Sequence, residues 1–372
     1  QKCGHKPIVL VGGATGMIGD PSGKSNERNL LSQDDLNKNI NGIHKQLSKF
    51  LNFDSDKKNS AVLCNNNDWF KDINLIDFIR DTGKYITVNY MIAKESVKKR
   101  LSKDSTIGMS FTEFSYQLIQ AYDFYHLFSK KNCLIQMGGS DQWGNITSGV
   151  ELIRKKSGKK AYALTCPLIT KADGTKFGKT EDGNVWLDRD KTSPYKFYQY
   201  WLNISDDDAK KYIKIFTFYT IDDINKFIKK HDEAPHQRFL QNTIAEFLTK
   251  LVHSDLDLKN SITASNILFG KSTSEDLNNL DEKTFLDIFE GVPSINISFK
   301  EIEKSSSVQD FLHKAEFLSS KSEIIRALKQ NSISINKEKV DSSYVISKEN
   351  LICEKYILAQ RGKKNYYLIS FN

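Results

Sequence analysis

The chain has 372 residues, of which 54 are Lys or Arg and 46 are Asp or Glu, so its formal net charge is +8. Aromatic residues make up 11% of the chain, which excludes a disordered protein, and no run of about 18 apolar residues could form a membrane-spanning helix. The five cysteines are widely spaced and include no Cys-x-x-Cys pair, so we expect neither a disulfide scaffold nor a metal site.

The amino terminus carries no apolar signal-peptide core and no Arg-rich transit pattern, so we expect a cytoplasmic protein. An initiator Met is also absent, from which we expect that the natural chain begins further upstream.

Short apolar runs alternate with helix-like stretches over the first 200 residues. Strands are predicted over residues 7–11, 60–63 and 133–137, and helices near 33–51, 72–82, 89–101 and 111–128. This alternation is typical of an α/β fold, in which crossover helices connect parallel strands. Such sheets bind ligands at the carboxyl ends of their strands.

The pattern changes after residue 200. Residues 205–290 have apolar positions at helical spacing, and residues 305–307 are a polar candidate linker. Two short helices (308–316 and 320–330) and a strand (332–336) follow. Residues 300–372 carry 13 Lys or Arg against nine Asp or Glu, a surplus of four positive charges. This surplus is half of the net charge of the whole chain. We therefore predict three domains, residues 1–200, 201–292 and 305–372.

A glycine run follows the first predicted strand. Gly13, Gly16 and Gly19 have the spacing of a dinucleotide-binding turn, and Tyr90 with Lys94 has the spacing of the short-chain dehydrogenase dyad. A nicotinamide-dependent reductase is therefore one alternative. However, Asp20-Pro21 interrupts the helix that should follow such a turn.

Three polar residues share one face of the helix predicted over 111–128. Tyr116, Gln120 and Asp123 are spaced i, i+4 and i+7, and apolar residues flank them on several sides. The polar stripe is therefore either a solvated helix face or, if the helix is buried, a set of groups that need polar partners such as a small ligand.

A second polar motif, residues 138–145, comes directly after the third predicted strand. Its glycines allow close backbone approach, and Asp141 can accept hydrogen bonds from two hydroxyl groups, such as those of a ribose. The alternative is a simple helix start in which Trp143 belongs to the core.

A loop over residues 171–180 is rich in Gly and Thr and contains Lys176 and Lys179. Paired ammonium groups on such a loop suit a polyphosphate whose charge grows in the transition state. Taken alone, such a pair is far more typical of a solvated loop.

Residues 176–180 resemble the lysine signature loop of class I aminoacyl-tRNA synthetases. Together with residues 139–145, the spacing of Tyr116, Gln120 and Asp123, and the terminal 361–364 segment, the chain resembles bacterial-type tyrosyl-tRNA synthetases over residues 1–372. The resemblance implies a Rossmann-like nucleotide-binding domain, a helical tRNA-contacting domain and a small α+β RNA-binding domain. It also implies the family's reaction, in which ATP activates L-tyrosine to tyrosyl-AMP and the tyrosyl group passes to tRNA(Tyr).

The resemblance implies roles for individual residues. Asp123 would accept the phenolic hydroxyl of the substrate, and Gln142 would lie near its carboxylate. The α-ammonium group would be bound by Tyr116, Gln120 and Asp20. The ATP ribose would be held by Gly139 and Asp141. The pyrophosphate would be steadied by Lys176, Lys179 and Thr180, with help from Lys24 and Arg28. Mg²⁺ would accompany ATP, with no tightly bound cofactor. Phosphates of the tRNA would meet basic groups near the carboxyl terminus: Lys321, Arg326, Arg361, Lys363 and Lys364.

The family acts as a homodimer, and the segment around Phe111 resembles its dimer contact, although a buried core Phe explains that residue equally well. The sequence departs from the family in two places. The family's His-x-Gly-His signature and a tyrosine-binding Tyr are absent, so we expect the nucleotide-binding domain to lack its first strand and crossover helix and activation to be weakened. A catalytically inactive RNA-binding remnant is therefore a further alternative. The hairpin around Asn336-Lys337 also lacks the family's usual Asn-Gly.

Overall fold

The computed structural model describes residues 1–20, 32–54, 56–94, 97–98, 109–175, 177–180, 183–268, 273–300, 307–362 and 365–372. The chain forms two compact units, residues 1–170 with 174–177, and residues 171–173 with 178–372. The three-domain division remains a prediction. The predicted site residues Lys24, Arg28, Lys176, Lys363 and Lys364 lie outside the described residues.

Strands and helices alternate through the first unit. Its described strands are β1 (Ile8–Val11), β2 (Val62–Asn65), β3 (Ile135–Gly139) and β4 (Tyr162–Cys166). Its described helices are α1 (Thr15–Ile18), α2 (Gln33–Leu47), α3 (Asn67–Phe70), α4 (Leu75–Asp81), α5 (Val88–Ile92), α6 (Phe111–Lys131) and α7 (Trp143–Ser157). β1 pairs with β2 and β3 pairs with β4, both in parallel, so the predicted α/β arrangement is confirmed.

The parallel register decides which loops meet. Val11 at the end of β1 lies opposite Asn65 at the end of β2, and Gly139 lies opposite Cys166. In each pair the two carboxyl ends share one edge, and the residues that follow them are placed side by side.

Helix α6 carries the predicted polar stripe, and local sequence fixes where it begins. Ser110 Oγ accepts a hydrogen bond from the Glu113 backbone N–H, while the Glu113 carboxylate accepts one from the Ser110 N–H, at 3.2 Å each. Such a capping box satisfies two otherwise unpaired amides and is worth about 1 kcal/mol. The helix then packs closely on α7, because Gly149 leaves room for Phe124: a Cβ atom at Gly149 would lie 2.8 Å from the Phe124 Cβ.

The second unit includes a short hairpin near its start, whose strands have two residues each: β5 (Lys179–Thr180) and β6 (Gly183–Asn184). The predicted helical region follows and is confirmed. Its helices are α8 (Pro194–Leu202), α9 (Asp206–Phe216), α10 (Ile221–Glu233), α11 (Phe239–Val252), α12 (Asp255–Leu268), α13 (Ser274–Asn278) and α14 (Glu282–Ile288).

The carboxyl-terminal part of the second unit is a five-stranded sheet with two helices. The helices are α15 (Val308–Lys314) and α16 (Lys321–Lys329). The strands are β7 (Ser294–Ile297), β8 (Ile333–Ile335), β9 (Glu338–Lys339), β10 (Tyr356–Arg361) and β11 (Asn365–Phe371), in the order β7-β11-β10-β8-β9. β7 is parallel to β11, and the other pairs are antiparallel. The predicted α+β arrangement is therefore confirmed. The sequence analysis predicted only the strand at 332–336 and the hairpin that follows it, and it missed β7, β10 and β11.

The sheet shares an apolar core with the helical region. Ile352, Leu358 and Leu368 pack in one cluster with Ile267 of α12 and Phe285 of α14. Each of these side chains is buried. The sheet and the helices therefore form a continuous interior within this unit.

The structure also answers one question about membranes. None of the described helices is both long enough and apolar enough to cross a lipid bilayer.

Candidate functional site

The glycine turn after β1 is held by side chains that follow β2. The backbone N–H of Gly13 donates to Asn65 Oδ1 at 3.1 Å, and that of Ala14 donates to Asn66 Oδ1 at 2.7 Å. These contacts follow from the parallel pairing, which places the two carboxyl ends together. The turn is thereby fixed by two buried or partly buried hydrogen bonds.

Asn66 also connects this turn to Asp123 of α6. Its Nδ2 donates to Thr15 Oγ1 at 3.0 Å and to Asp123 Oδ2 at 3.1 Å, and Trp69 Nε1 donates to Asp123 Oδ1 at 2.9 Å. Asp123 is 1% exposed. The carboxylate is thus enclosed and held by a donor on each oxygen, with acceptor capacity left on both.

Burial decides the ionisation of Asp123. Loss of hydration raises the pKa of its carboxyl group to about 7, although the hydrogen bonds from Asn66 and Trp69 oppose the shift. The group therefore titrates near neutral pH, and any further hydrogen-bond donor would favour the carboxylate form. Sequence reasoning identified Asp123 but missed Asn66 and Trp69.

Trp69 is itself fixed in position by a neighbour on α6. Its ring stacks on His126, with centroids 4.3 Å apart and an interplanar angle of 15°. Burial, and then the nearby Lys130 and Lys131, lower the pKa of His126, so its neutral form is favoured. The stack therefore holds the indole N–H toward Asp123.

Gln142 links three more of the predicted residues. Its Nε2 donates to Asp20 Oδ2 at 2.7 Å, and its Oε1 accepts from Gln120 Nε2 at 3.3 Å. A weaker contact of 3.4 Å joins the same Nε2 to Asp141 Oδ2. The structure thus brings Asp20, Gln120 and the adjacent residues Asp141 and Gln142 together from three separate positions in the sequence.

The polar stripe on α6 is not a solvated helix face, so that alternative is wrong. Tyr116 and Asp123 are both buried, and Gln120 is half-buried. The Gln120 Oε1 atom is out of contact with water and accepts no hydrogen bond from any residue that the structure describes. A buried acceptor of this kind favours a ligand that brings its own donor.

Gly139 and Asp141 lie at the carboxyl end of β3. A Cβ atom at Gly139 would lie 2.5 Å from Asp141 Oδ1 and 3.1 Å from Leu168 Cδ2, so a larger residue here would displace these two exposed side chains. Asp141 is exposed and open to a ligand. Trp143 is 53% exposed, so the alternative that placed it in the core is wrong.

The lysine loop belongs in part to the second unit, where two contacts anchor it. The Ala172 N–H donates to Asp208 Oδ1 at 2.7 Å, and Gly178, with φ of 76°, hydrogen-bonds through its backbone to the Tyr200 phenol. Lys179 and Thr180 follow as β5, in register with Asn184 and Gly183. The backbone before and within β5 is therefore tied to helices α8 and α9.

Two of the basic groups predicted to contact RNA are paired with carboxylates. Lys321 forms an ion pair with Asp310, and Arg361 Nη1 lies 2.7 Å from Glu323 Oε1. Arg326 is exposed on α16. The paired groups remain partly exposed, so a phosphate could reach them. Because they are paired, it would have to compete with the two carboxylates for them.

The Tyr90–Lys94 pair of the reductase alternative has a structural role in this chain. Lys94 Nζ donates to Tyr90 Oη at 2.8 Å and to Thr147 Oγ1 of α7 at 2.9 Å. Gly16 packs against Leu36, where a Cβ atom would lie 2.6 Å from Leu36 Cδ2. Helix packing thus explains these residues. Among the described side chains, no group of three or more His, Cys, Asp or Glu is placed to hold a metal ion.

Comparisons with known proteins agree along nearly the whole chain. The family model for class I tRNA synthetases of the W and Y type matches residues 1–270, and the model for the tyrosine–tRNA ligase SYY-like C-terminal domain matches residues 284–369. The tyrosine–tRNA ligase of Flavobacterium johnsoniae is 58% identical over 369 residues, which cover 98% of this chain and 85% of the relative. That of Bacteroides fragilis is 57% identical over 371 residues, covering 99% and 86%.

A solved structure gives the same result. A C-terminally truncated mitochondrial tyrosyl-tRNA synthetase from Aspergillus nidulans is 31% identical, with a TM-score of 0.61 over 71% of this chain and 77% of that chain. The reductase and the inactive RNA-binding remnant receive no support from these comparisons.

Proposed function

The chain belongs to the tyrosine–tRNA ligase family, and from this we propose that it activates L-tyrosine with ATP and transfers the tyrosyl group to tRNA(Tyr). The observation that carries the proposal is the buried Asp123 carboxylate, held by Asn66 and Trp69 beside a linked set of polar groups. We place the reaction in the cytoplasm, where charged tRNA is used.

Asp123 and its neighbours suit the two ends of a tyrosine molecule. The Asp123 carboxylate would accept the phenolic O–H, which a phenylalanine could not supply. Three groups would accept hydrogen bonds from the α-ammonium group: Gln120 Oε1, one helical turn from Asp123, the Tyr116 hydroxyl on the same face, and the Asp20 carboxylate. Gln142, which already binds Asp20 and Gln120, would lie near the substrate carboxylate.

ATP would bind at the carboxyl end of β3 and at the lysine loop. Gly139 permits close backbone approach, and the exposed Asp141 carboxylate would accept the ribose hydroxyls. Lys176, Lys179 and Thr180 would steady the pyrophosphate, with Lys24 and Arg28 assisting. Mg²⁺ would arrive with ATP, and no tightly bound cofactor is needed.

No covalent nucleophile is required for activation. The substrate carboxylate attacks the α-phosphorus, the bond to the bridging oxygen breaks, and pyrophosphate leaves with that electron pair. The protein's contribution is therefore to position the two substrates and to stabilise developing charge. Tyrosine-dependent exchange of pyrophosphate into ATP tests this step, and exchange that is absent or independent of tyrosine would refute it.

Tyrosine affinity is expected to depend on pH through Asp123. In the free protein the pKa of Asp123 is about 7, and a third hydrogen bond, from the phenol, would lower it. Binding would thus release a proton, so affinity should rise as pH increases from 6 to 7 and level off above about 8. Calorimetric titrations across this range measure it. Asp123→Asn should give a flat profile, and an equally steep profile in that variant would contradict the assignment.

The carboxyl-terminal sheet and its helices would bind tRNA. Lys321, Arg326, Arg361, Lys363 and Lys364 would contact phosphates, with Glu323 and Asp310 released from Arg361 and Lys321. Binding of this kind releases counterions that were condensed on the RNA, so the affinity falls as the salt concentration rises.

Exposed apolar side chains in the first unit support a homodimer, and we propose that they form one face. It comprises residues of α4, α5 and the start of α6: Leu75, Ile76, Ile79, Val88, Ile92 and Phe111. Phe111 is 81% exposed, so its explanation as a core residue is wrong. A second copy presenting the same face would bury these side chains on both protomers.

The dimer is testable at this face. Phe111→Asp should place a charge in the apolar contact and shift the protein to monomer, because burying an unpaired carboxylate is costly. Sedimentation velocity measures the mass, with Phe50→Asp, at another exposed aromatic, as the matched control. A Phe111→Asp protein that keeps a dimeric mass, or a monomeric wild type, would contradict the proposal.

A further inference from the structure

The turn between β8 and β9 has an unusual residue for its conformation. Asn336 and Lys337 both have positive φ, 47° and 71°. Two-residue hairpin turns of this type favour Asn-Gly, since glycine adopts the left-handed conformation without a steric penalty. A lysine held in this conformation therefore needs compensating contacts.

The compensating contacts come from the Lys337 ammonium group. Its Nζ donates to the Ile267 carbonyl at 2.8 Å and to Tyr366 Oη at 2.6 Å, and it lies 4.5 Å from the centre of the Tyr366 ring. Ile267 belongs to α12, whose described residues run from Asp255 to Leu268. Lys337 thus joins a helix of the helical region to two strands of the sheet.

Tyr366 connects this contact to the end of strand β10, where Arg361 lies. It is the second residue of β11, paired with Gln360, directly beside the Arg361–Asn365 pair that closes the β10–β11 hairpin. Its ring also packs on Phe289, 5.5 Å away. Tyr366 is therefore one ladder position from Arg361, a residue proposed to contact tRNA.

The shared apolar core cannot fix this arrangement in the same way. Apolar packing among Ile352, Leu358, Leu368 and the helices is largely non-directional. An ammonium group with two acceptors at fixed distances is directional. The core brings the sheet and helices together. Directional contacts orient them: that of Lys337 with α12, and those of Lys355 and Tyr356 with Glu282 of α14.

We propose that Lys337 is a positioning residue for tRNA binding, whose ammonium group fixes the sheet, and with it Arg361 at the end of β10, against α12. This inference rests on the proposed function, because it requires that the chain binds tRNA(Tyr).

The test measures the affinity of the full chain for a tRNA(Tyr) transcript by filter binding at several salt concentrations. Lys337→Met should weaken binding about tenfold, the range expected when a charged hydrogen bond is lost, with the salt slope unchanged. Lys339→Met is the matched control, since it removes the same charge from an exposed site two residues away, and it should change affinity less than about twofold.

Two further variants separate positioning from simple stability. Lys337→Gly suits the turn conformation, so its unfolding midpoint should fall less than that of Lys337→Met while its tRNA affinity falls equally. Tyr366→Phe removes one acceptor, and its effect should be smaller in the Lys337→Met background than in wild type.

Several results would overturn the inference. Wild-type affinity in folded Lys337→Met would do so, and so would weaker binding with a salt slope reduced by about 0.7 to 0.9, which indicates a direct phosphate contact. A wild-type chain that does not bind tRNA(Tyr) would refute the proposed function and, with it, this inference.

Discussion

Asp123→Ala is expected to reduce the affinity for L-tyrosine by about 10- to 150-fold, because a hydrogen bond to a charged group is worth about 1.5–3 kcal/mol. The affinity for ATP should change little, since the side-chain hydrogen bonds of Asp123 are with Asn66 and Trp69, neither of which is proposed to bind ATP. Equilibrium titration with each substrate measures both values.

The substitution also leaves two buried donors, on Asn66 and Trp69, without their acceptor, which costs about 1–3 kcal/mol for each. Thermal unfolding must therefore show that the variant is folded at the assay temperature. Asp72→Ala, at an exposed aspartate, is the control and should bind tyrosine normally. Unchanged tyrosine affinity in folded Asp123→Ala would refute the assignment.

Lys179→Ala should slow tyrosyl-adenylate formation by about 10²- to 10³-fold, the usual loss when one group that stabilises transition-state charge is removed. Ground-state ATP affinity should fall much less, because the charge on the pyrophosphate grows as it leaves. Single-turnover kinetics separate the rate constant from the dissociation constant.

Lys171→Ala is the matched control for this prediction, since Lys171 lies in the same loop and outside the signature. It should leave both constants near the wild-type values. Equal losses in rate and ATP affinity for Lys179→Ala would show that the loop binds substrate and transition state equally well.

The sequence predicted the elements whose signal is local. Helical spacing placed Tyr116, Gln120 and Asp123 on one face of α6, and the glycines after β3 indicated the position of Asp141. What it could not supply was the set of partners from elsewhere in the chain. Asn66 and Trp69 lie 57 and 54 residues before Asp123, and they follow a strand that was predicted to end too early.

Non-local pairing also helps to explain why strands near the carboxyl terminus were missed, and β7 is the clearest case. β7 precedes the predicted linker, has only four residues, and pairs with the last strand of the chain, so periodicity carries little information about it. The sequence also did not predict which apolar residues are exposed. Trp143 and Phe111 are apolar residues for which a core position was an open alternative, and both lie on the surface. Periodicity does not reveal which apolar residues are left for a partner.

The discrimination between tyrosine and phenylalanine tests the central claim most directly. We predict that wild type binds L-tyrosine at least tenfold more tightly than L-phenylalanine, and that Asp123→Asn loses most of this difference while its phenylalanine affinity stays the same. Equal affinity of wild type for the two amino acids, or full discrimination retained in Asp123→Asn, would contradict the account.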